Sequence, residues 1–321
     1  SGAKICYNVK EVYQADIILK VEPPTLAELD YFKHNQCLIS ALQLKTQTAA
    51  YFKKLMEKKV TAVAFDYIQD ETGSFPIVRS MSEIAGTSSI LIAAELLSTS
   101  AGGKGMLMGG IAGVSPTQIV IIGAGTVAEY AARSAMALGA SVKVFDNSIA
   151  RLRRIQNELN LRVATSILQP KVLEKALKRA DVAIGALGAE NGRTPCVISE
   201  EMVQLMKPKS VIVDVSIDQG GCFETSEITN HENPTFLKHD VIHYCVPNIA
   251  SRSSKTASFS LSNVLAPILL KVGDGGGIQG MLLRSNNIRG GVYVYNGIIT
   301  NKGIGSWFEL PYKEIRLLLG L

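Results

Sequence analysis

The chain has 321 residues, 47% of them hydrophobic and 19% charged, with a formal net charge of +5. That composition describes a globular protein with apolar material for two ordinary domains, and it excludes intrinsic disorder. The small positive balance excludes a nucleic-acid partner, because its one basic run, Lys53-Lys54 and Lys58-Lys59, reads as the wet side of an amphipathic helix.

In chain order, residues 15–21 read as a buried strand followed by a Pro23-Pro24 turn, so the chain opens in mid-architecture and a preceding segment is expected. A polar helical stretch over 25–34, a strand over 37–42, a helix over 46–58 and a strand over 60–65 follow. This is the alternation of a parallel sheet. Residues 66–76 are polar with a Gly-Ser turn and mark a boundary. A helix over 82–97 leads into the glycine-rich residues 101–116, which lack the G-K-[ST] ending of a P-loop and read as a connection.

Residues 118–146, QIVIIGAGTVAEYAARSAMALGASVKVFD, organise the rest. A β-branched run over 119–122 predicts a strand buried on both faces, and Gly123, Gly125 and Ala128 follow it in G-x-G-x-x-A spacing. Gly123 permits the tight turn, Gly125 lets a pyrophosphate approach the backbone, and Ala128 lets the helix lie close on the sheet. Free N–H groups at the helix start, at Thr126 and Val127, would face the phosphates. Val127, Ala128, Ala131, Ala132, Ala135 and Leu138 make one apolar face, Gly139 is a natural C-cap, and residues 141–145 rebuild a strand ending at Asp146. That carboxylate can accept both ribose hydroxyls and would repel a 2′-phosphate, so NAD is expected over NADP. A purely structural glycine turn is the alternative; the flanking strand, helix, closing glycine and spaced acid are the context that argues against it.

Beyond Asp146 the pattern predicts helices over 151–159 and 172–178 and strands over 162–165, 182–187, 210–215 and 241–246, in a sheet of about six. Ligands bind outside the carboxyl ends of such strands, which puts Leu187-Gly188, residues 216–221 and residues 246–249 at the binding edge. A long apolar helix over 260–272 ends in a glycine run. The strand-like VYVYNG and a last amphipathic helix are expected to pack back on the first domain. Residues 1–76 would then be the first part of a split domain, 77–254 an inserted nucleotide domain, and 255–321 the linking helix and return. The five cysteines are scattered and never spaced C-x-x-C, so reduced core thiols in a cytoplasmic protein are expected, and no metal site. No signal peptide opens the chain, and no uncharged apolar run reaches the roughly 18 residues of a membrane span, so no membrane partner is expected.

The runs VIVDVSIDQGGCFETSEITNHENPTF (211–236), MSEIAG (81–86) and HYCVPNI (243–249) closely resemble the alanine dehydrogenases, relatives of the transhydrogenase α subunit. The resemblance spans the whole chain, and IDQGGCFETS is its most specific part. It implies an α/β fold of two Rossmann-like doubly wound domains, a homohexamer, and reversible oxidative deamination of L-alanine to pyruvate and ammonium with NAD. It puts Ser82, Asp146, Arg151, Leu187, Gly188, Val215, Ser216, Ile217, Asp218, Val246, Asn248 and Ile249 around the cofactor. Asp218 matches the family's essential acid, beside the reacting carbon. Read from its residues alone, that Asp could equally cap the Gly220-Gly221 turn.

Two positions depart from the family. Its KVKEP-like segment, whose lysine holds the substrate carboxylate, reads Lys20-Val21-Glu22-Pro23 here, and its LHL segment, whose histidine contacts the carbonyl oxygen, reads Leu42-Gln43-Leu44. Glu22 and Gln43 therefore take the catalytic positions. Lys20, two residues before Glu22, is expected on the same strand face and could reach the carboxylate instead. His34, His231, His239 and His243 do not match and are expected to be surface or packing residues. A NAD-binding relative without turnover, acting as sensor or scaffold, and a dehydrogenase for another amino acid whose cationic group meets Glu22, are the alternatives.

Overall fold

The computed structural model describes residues 2–159, 162–188 and 194–321. The chain forms two compact units, Ser1–Arg79 with Phe259–Leu321, and Ser80–Ser258.

The first unit opens with a single helical turn, α1 (Val9–Val12), then β1 (Ile17–Leu19), β2 (Cys37–Ser40), α2 (Ala49–Glu57) and β3 (Thr61–Ala64). β2 and β3 are buried at every position and pair in parallel, Leu38 opposite Ala62 and Ile39 opposite Val63. Two departures from the sequence pattern appear. The ladder covers only Ile17–Leu19 of residues 15–21, with alternating burial, because β1 is the edge of its sheet. Residues 25–34 form only a 3₁₀ turn, Glu28–Tyr31. α2 starts at Ala49 rather than at 46, since Thr48 is the residue whose hydroxyl takes the Tyr51 N–H and caps the helix.

α3 (Pro76–Leu97) leads to the second unit. There β4 (Gln118–Ile122), α4 (Thr126–Ala137), β5 (Ser141–Phe145), α5 (Ile149–Leu159), β6 (Ala164–Ser166), α6 (Pro170–Leu177), β7 (Val182–Gly185), α7 (Glu200–Gln204), β8 (Val211–Asp214), β9 (Thr235–Lys238) and β10 (Val241–Tyr244) build a sheet of order β6-β5-β4-β7-β8-β10-β9. The expected sheet of about six gains a seventh member, β9, which pairs antiparallel to β10 at the edge. Period-2 geometry splits the strands between two cores: Ile119 and Ile121 face one, Val120 and Ile122 the other. The order reverses between β4 and β7, so their carboxyl ends form the switch point of a doubly wound sheet. At the opposite edge the buried Asp181 accepts from Gln118 N and from Lys104 and Lys207. Lys104 thereby pins the glycine-rich connection well away from the switch point.

α8 (Ser254–Asp274) returns the chain to the first unit, followed by α9 (Gly277–Arg284), α10 (Asn286–Arg289), β11 (Val292–Tyr295), β12 (Ile298–Ile299), α11 (Lys302–Phe308) and α12 (Ile315–Leu319). β11 pairs antiparallel to β3, giving the order β1-β2-β3-β11-β12. Asn296 and Gly297, both at positive φ, make the two-residue turn to β12. By length and composition Ile249–Asp274 is apolar enough to cross a bilayer; Leu265 and Val272 of α8 join the core of the first unit with Ile288 and Val292, while Phe259 and Leu270 are exposed. The cysteines form no disulfide; Cys37, Cys222 and Cys245 are buried as expected of core thiols, but Cys6 is half-buried and Cys196 is exposed.

Candidate functional site

The ends of β4, β5, β7, β8 and β10 meet on one edge of the second unit. Gly123 leaves β4 at φ +112, and a Cβ there would stand 2.3 Å from the Ala186 carbonyl oxygen, so only glycine fits. Gly125 differs: nothing lies within 4 Å of a Cβ built on it. Its side of the turn is open, as a close-approaching phosphate requires. Ala128 is fully buried where α4 lies on the sheet, and Gly139 takes the left-handed conformation just past the helix end. Thr126 and Val127 open α4, whose first N–H groups have no intrahelical acceptor.

Asp146 directly follows β5, at 4% exposure. Its Oδ2 accepts the Ala124 N–H at 2.8 Å and its Oδ1 the Ser148 N–H at 2.7 Å, with Arg151 Nη1 4.0 Å from Oδ2. A carboxylate has about four acceptor sites, so about two remain for a diol. The residues present fit a dinucleotide.

The remaining loops are tied together. Ser216 Oγ donates to the Leu187 carbonyl at 3.0 Å, and Asp218 Oδ1 accepts the Asn248 N–H at 2.8 Å. Asn248 holds that amide in place from the left-handed region, φ +51, which asparagine tolerates. Ile217, Val246 and Ile249 are buried beneath the site, Leu187 and Val215 are half-buried, and Gly188 is exposed. Ser82 is half-buried on α3, next to the turn where Gly86 lies against Val127 O. Desolvation by its surroundings raises the Asp218 carboxyl pKa, against the pull of the Asn248 amide. The residue still reaches solvent, so water remains a partner for its charged form.

Asp214 was not singled out by the sequence pattern, although an acid closing the apolar VIVD strand is a signal. At 1% exposure it accepts from Ser216 N and Cys222 N, both at 3.0 Å, and from Ser226 Oγ at 2.7 Å. These bonds tie both ends of the loop that carries Asp218. Gly185 and Gly221 press on its oxygens, where a Cβ would come within 2.4 and 2.8 Å.

In the first unit Glu22 and Gln43 line one pocket of about 270 Å³ with Thr25, Thr46, Thr48 and Tyr51. Gln43 sits at φ +44, a rare conformation for a non-glycine residue. Lys20 does not line this pocket. β1 ends at Leu19, and Lys20 Nζ bonds both oxygens of Glu28 at 2.7 Å. Partial burial of Glu28 opposes its ionisation, but the bonds from Lys20 and Thr25 prevail and hold its pKa below the usual range. In this structure the Lys20 ammonium is engaged by Glu28 rather than by this pocket. A larger cavity of about 750 Å³, between residues 68–72 and α8 and α9, contains none of the sequence-predicted site residues.

Comparison with known proteins places these features in context. The family described as "Alanine dehydrogenase/PNT, C-terminal domain" matches residues 89–302, and "Alanine dehydrogenase/PNT, N-terminal domain" matches residues 1–85. An alanine dehydrogenase of Methanococcus maripaludis is 38% identical over 97% of this chain and 84% of its own length. One of Mycolicibacterium smegmatis is 36% identical over 98% and 84%. A solved L-alanine dehydrogenase superposes with a TM-score of 0.89 at 32% identity, covering 96% of this chain and 84% of its own. A transhydrogenase from Sinorhizobium meliloti shares the fold, with a TM-score of 0.77 at 19% identity.

Proposed function

Because the chain belongs to the alanine dehydrogenase/PNT family, we propose that it is a NAD-dependent dehydrogenase of the alanine dehydrogenase type, which interconverts L-alanine with pyruvate and ammonium. The observation that carries this reading is the meeting of the Gly123 turn, Asp146 and the Asp218 loop at one switch point. When bound, NAD supplies the hydride acceptor. The protein's own residues do the rest. The α4 N-terminus at Thr126 and Val127 takes the pyrophosphate across the open side of Gly125, and Asp146, with Arg151 beside it, takes the adenosine ribose. Ser82, Leu187, Gly188, Val215, Ser216, Ile217, Val246, Asn248 and Ile249 line the rest of the cofactor site. Asp218 accepts the proton released as water adds to the substrate's iminium carbon, a task suited to a carboxyl with a raised pKa. We further propose a homo-oligomer, a hexamer as in the family, working in the cytoplasm.

The cofactor assignment is tested by calorimetry. NAD should bind at least about tenfold better than NADP, a difference of about 1.4 kcal/mol. Asp146→Ala should narrow the ratio, and equal affinities in the unaltered protein would sink the assignment. A second reading, NAD binding with little or no turnover, is favoured by one observation: the pocket that holds Glu22 and Gln43 lies beside a Lys20 already bonded to Glu28. Assaying NADH absorbance with alanine and with basic amino acids separates these readings, including the one in which Glu22 meets a cationic substrate.

A further inference from the structure

Glu129 is a carboxylate at 3% exposure in the first turns of α4. Such a group is rarely buried unless paired, and here two guanidinium groups pair with it. Arg133 Nη2 lies 3.3 Å from Oε1, and Arg154 Nη1, from α5, 2.9 Å from Oε2. Arg154 uses its other arm on the main chain, where Nη2 donates to the Ala124 carbonyl at 3.0 Å. The Ala124 N–H is meanwhile donated to Asp146. Both backbone polar groups of the residue between the two turn glycines are therefore held by side chains from the next strand and helix.

A trans peptide points its C=O and its N–H in opposite directions. By fixing the Ala124 carbonyl toward α5, Arg154 turns the Gly125 N–H the other way and leaves it for a ligand. Gly125 makes that orientation easy to lose. A half-turn of the 124–125 peptide changes ψ of Ala124 and φ of Gly125, and glycine accepts the positive φ that other residues resist. A flipped peptide would present a carbonyl oxygen, rather than an N–H, to the phosphates. It would also leave the fully buried Ala124 with its bonds rearranged. The residue that lets a pyrophosphate come close thus needs an outside restraint. The Arg154 fork supplies one, and Glu129 fixes the fork.

We propose that Arg154, anchored by Glu129, is a positioning residue for dinucleotide binding, locking the Ala124-Gly125 peptide with its N–H toward the pyrophosphate. This rests on the reading that NAD binds at the β4–α4 turn. The test is calorimetry of the full chain with three probes: NAD, ADP-ribose and adenosine. Arg154→Met should weaken NAD and ADP-ribose by about tenfold or more, the scale of a charge-assisted bond, while adenosine changes less than about twofold. Arg154→Lys, which keeps a donor for the carbonyl, should recover part of the loss. If Arg154→Met folds poorly, Glu129→Gln, which loosens the anchor without removing the fork, should give the same pattern in weaker form. Unchanged NAD affinity in the variants, or adenosine weakening in step with NAD, overturns the lock. An unaltered protein that fails to take up NAD overturns the cofactor reading itself and this inference with it.

Discussion

Oxidation of L-alanine by the unaltered chain is expected to run at least a hundredfold below the roughly 10 per second of an ordinary enzyme. Glu22 and Gln43 set this expectation, because they line the same pocket of the first unit. A lysine that holds a substrate carboxylate contributes a charge-assisted bond of about 1.5 to 3 kcal/mol. Glu22 repels instead, and Lys20 cannot substitute while both its short bonds go to Glu28. Gln43 can donate a hydrogen bond to a developing oxyanion but cannot exchange a proton near neutral pH, which forfeits roughly a further hundredfold. Glu22→Lys together with Gln43→His should raise kcat/KM by more than the product of the two single gains, since both groups act on one bound molecule. Steady-state NADH absorbance measures this. An unaltered protein that turns over alanine at about 10 per second would show that the two positions do not have the roles assigned to them.

The second large effect is on stability against pH, and it comes from His243. The ring is fully buried on β10, stacked on Phe236 with centroids 4.8 Å apart. Its Nδ1 lies 2.9 Å from the Val241 carbonyl and therefore carries the proton, so Nε2 accepts from the Thr225 hydroxyl at 2.8 Å. Burial lowers its pKa to about 4, with the Val241 carbonyl opposing, Lys238 and His239 adding to the fall, and Glu227 resisting it. Below its ordinary pKa of about 6.5 the unfolded chain takes up a proton that the folded chain refuses. Stability is then complete above about pH 6.5 and declines as pH falls toward the folded value, by about 3 kcal/mol in all. Urea unfolding at about pH 7.5 and pH 4.5 should show this slope, and His243→Phe, which keeps the stack, should flatten it while costing about 1–3 kcal/mol at neutral pH for the unpaired Thr225 and Val241 groups. Equal slopes in the two proteins would remove His243 as the cause.

The parts of the fold legible in the sequence are those where local and tertiary demands agree. Residues 118–146 agree with the structure nearly residue for residue, because the β-branched run, the small-residue helix face and Gly139 all specify the same unit. β9 escaped notice because Thr235–Lys238 is short and only partly buried, and its turn rests on His239 and Asp240, both left-handed. Such turns are usually marked by a glycine, which the His239-Asp240 pair lacks. The helical stretch expected over 25–34 failed for a different reason. Glu28, which a polar helix face would send to solvent, turns to Lys20 and Thr25 and holds a tighter 3₁₀ turn. Asp146 could be picked out because it follows the strand that comes after the glycine turn and its helix, whereas Asp218 stands out only through the family resemblance. Asp214 carried only the weak signal of an acid closing an apolar strand, and Glu129 carried none, since its partner Arg154 comes from the next helix.

β3 finds its antiparallel neighbour β11 only after the whole of Ser80–Ser258 has been traversed. On the ribosome, where chains emerge at roughly 5–20 residues per second, the β1-β2-β3 sheet waits many seconds with the β3 ladder groups unmatched. An uncovered strand edge of that kind is a template for pairing with other chains. Ser80–Ser258 carries its own cores and can close behind it, so the newly made protein passes through a stage in which one half is finished and the other is an open seam. Synthesis that stalls before Val292 should leave chains that coaggregate or recruit chaperones, whereas truncation after Ile299 should relieve much of that hazard.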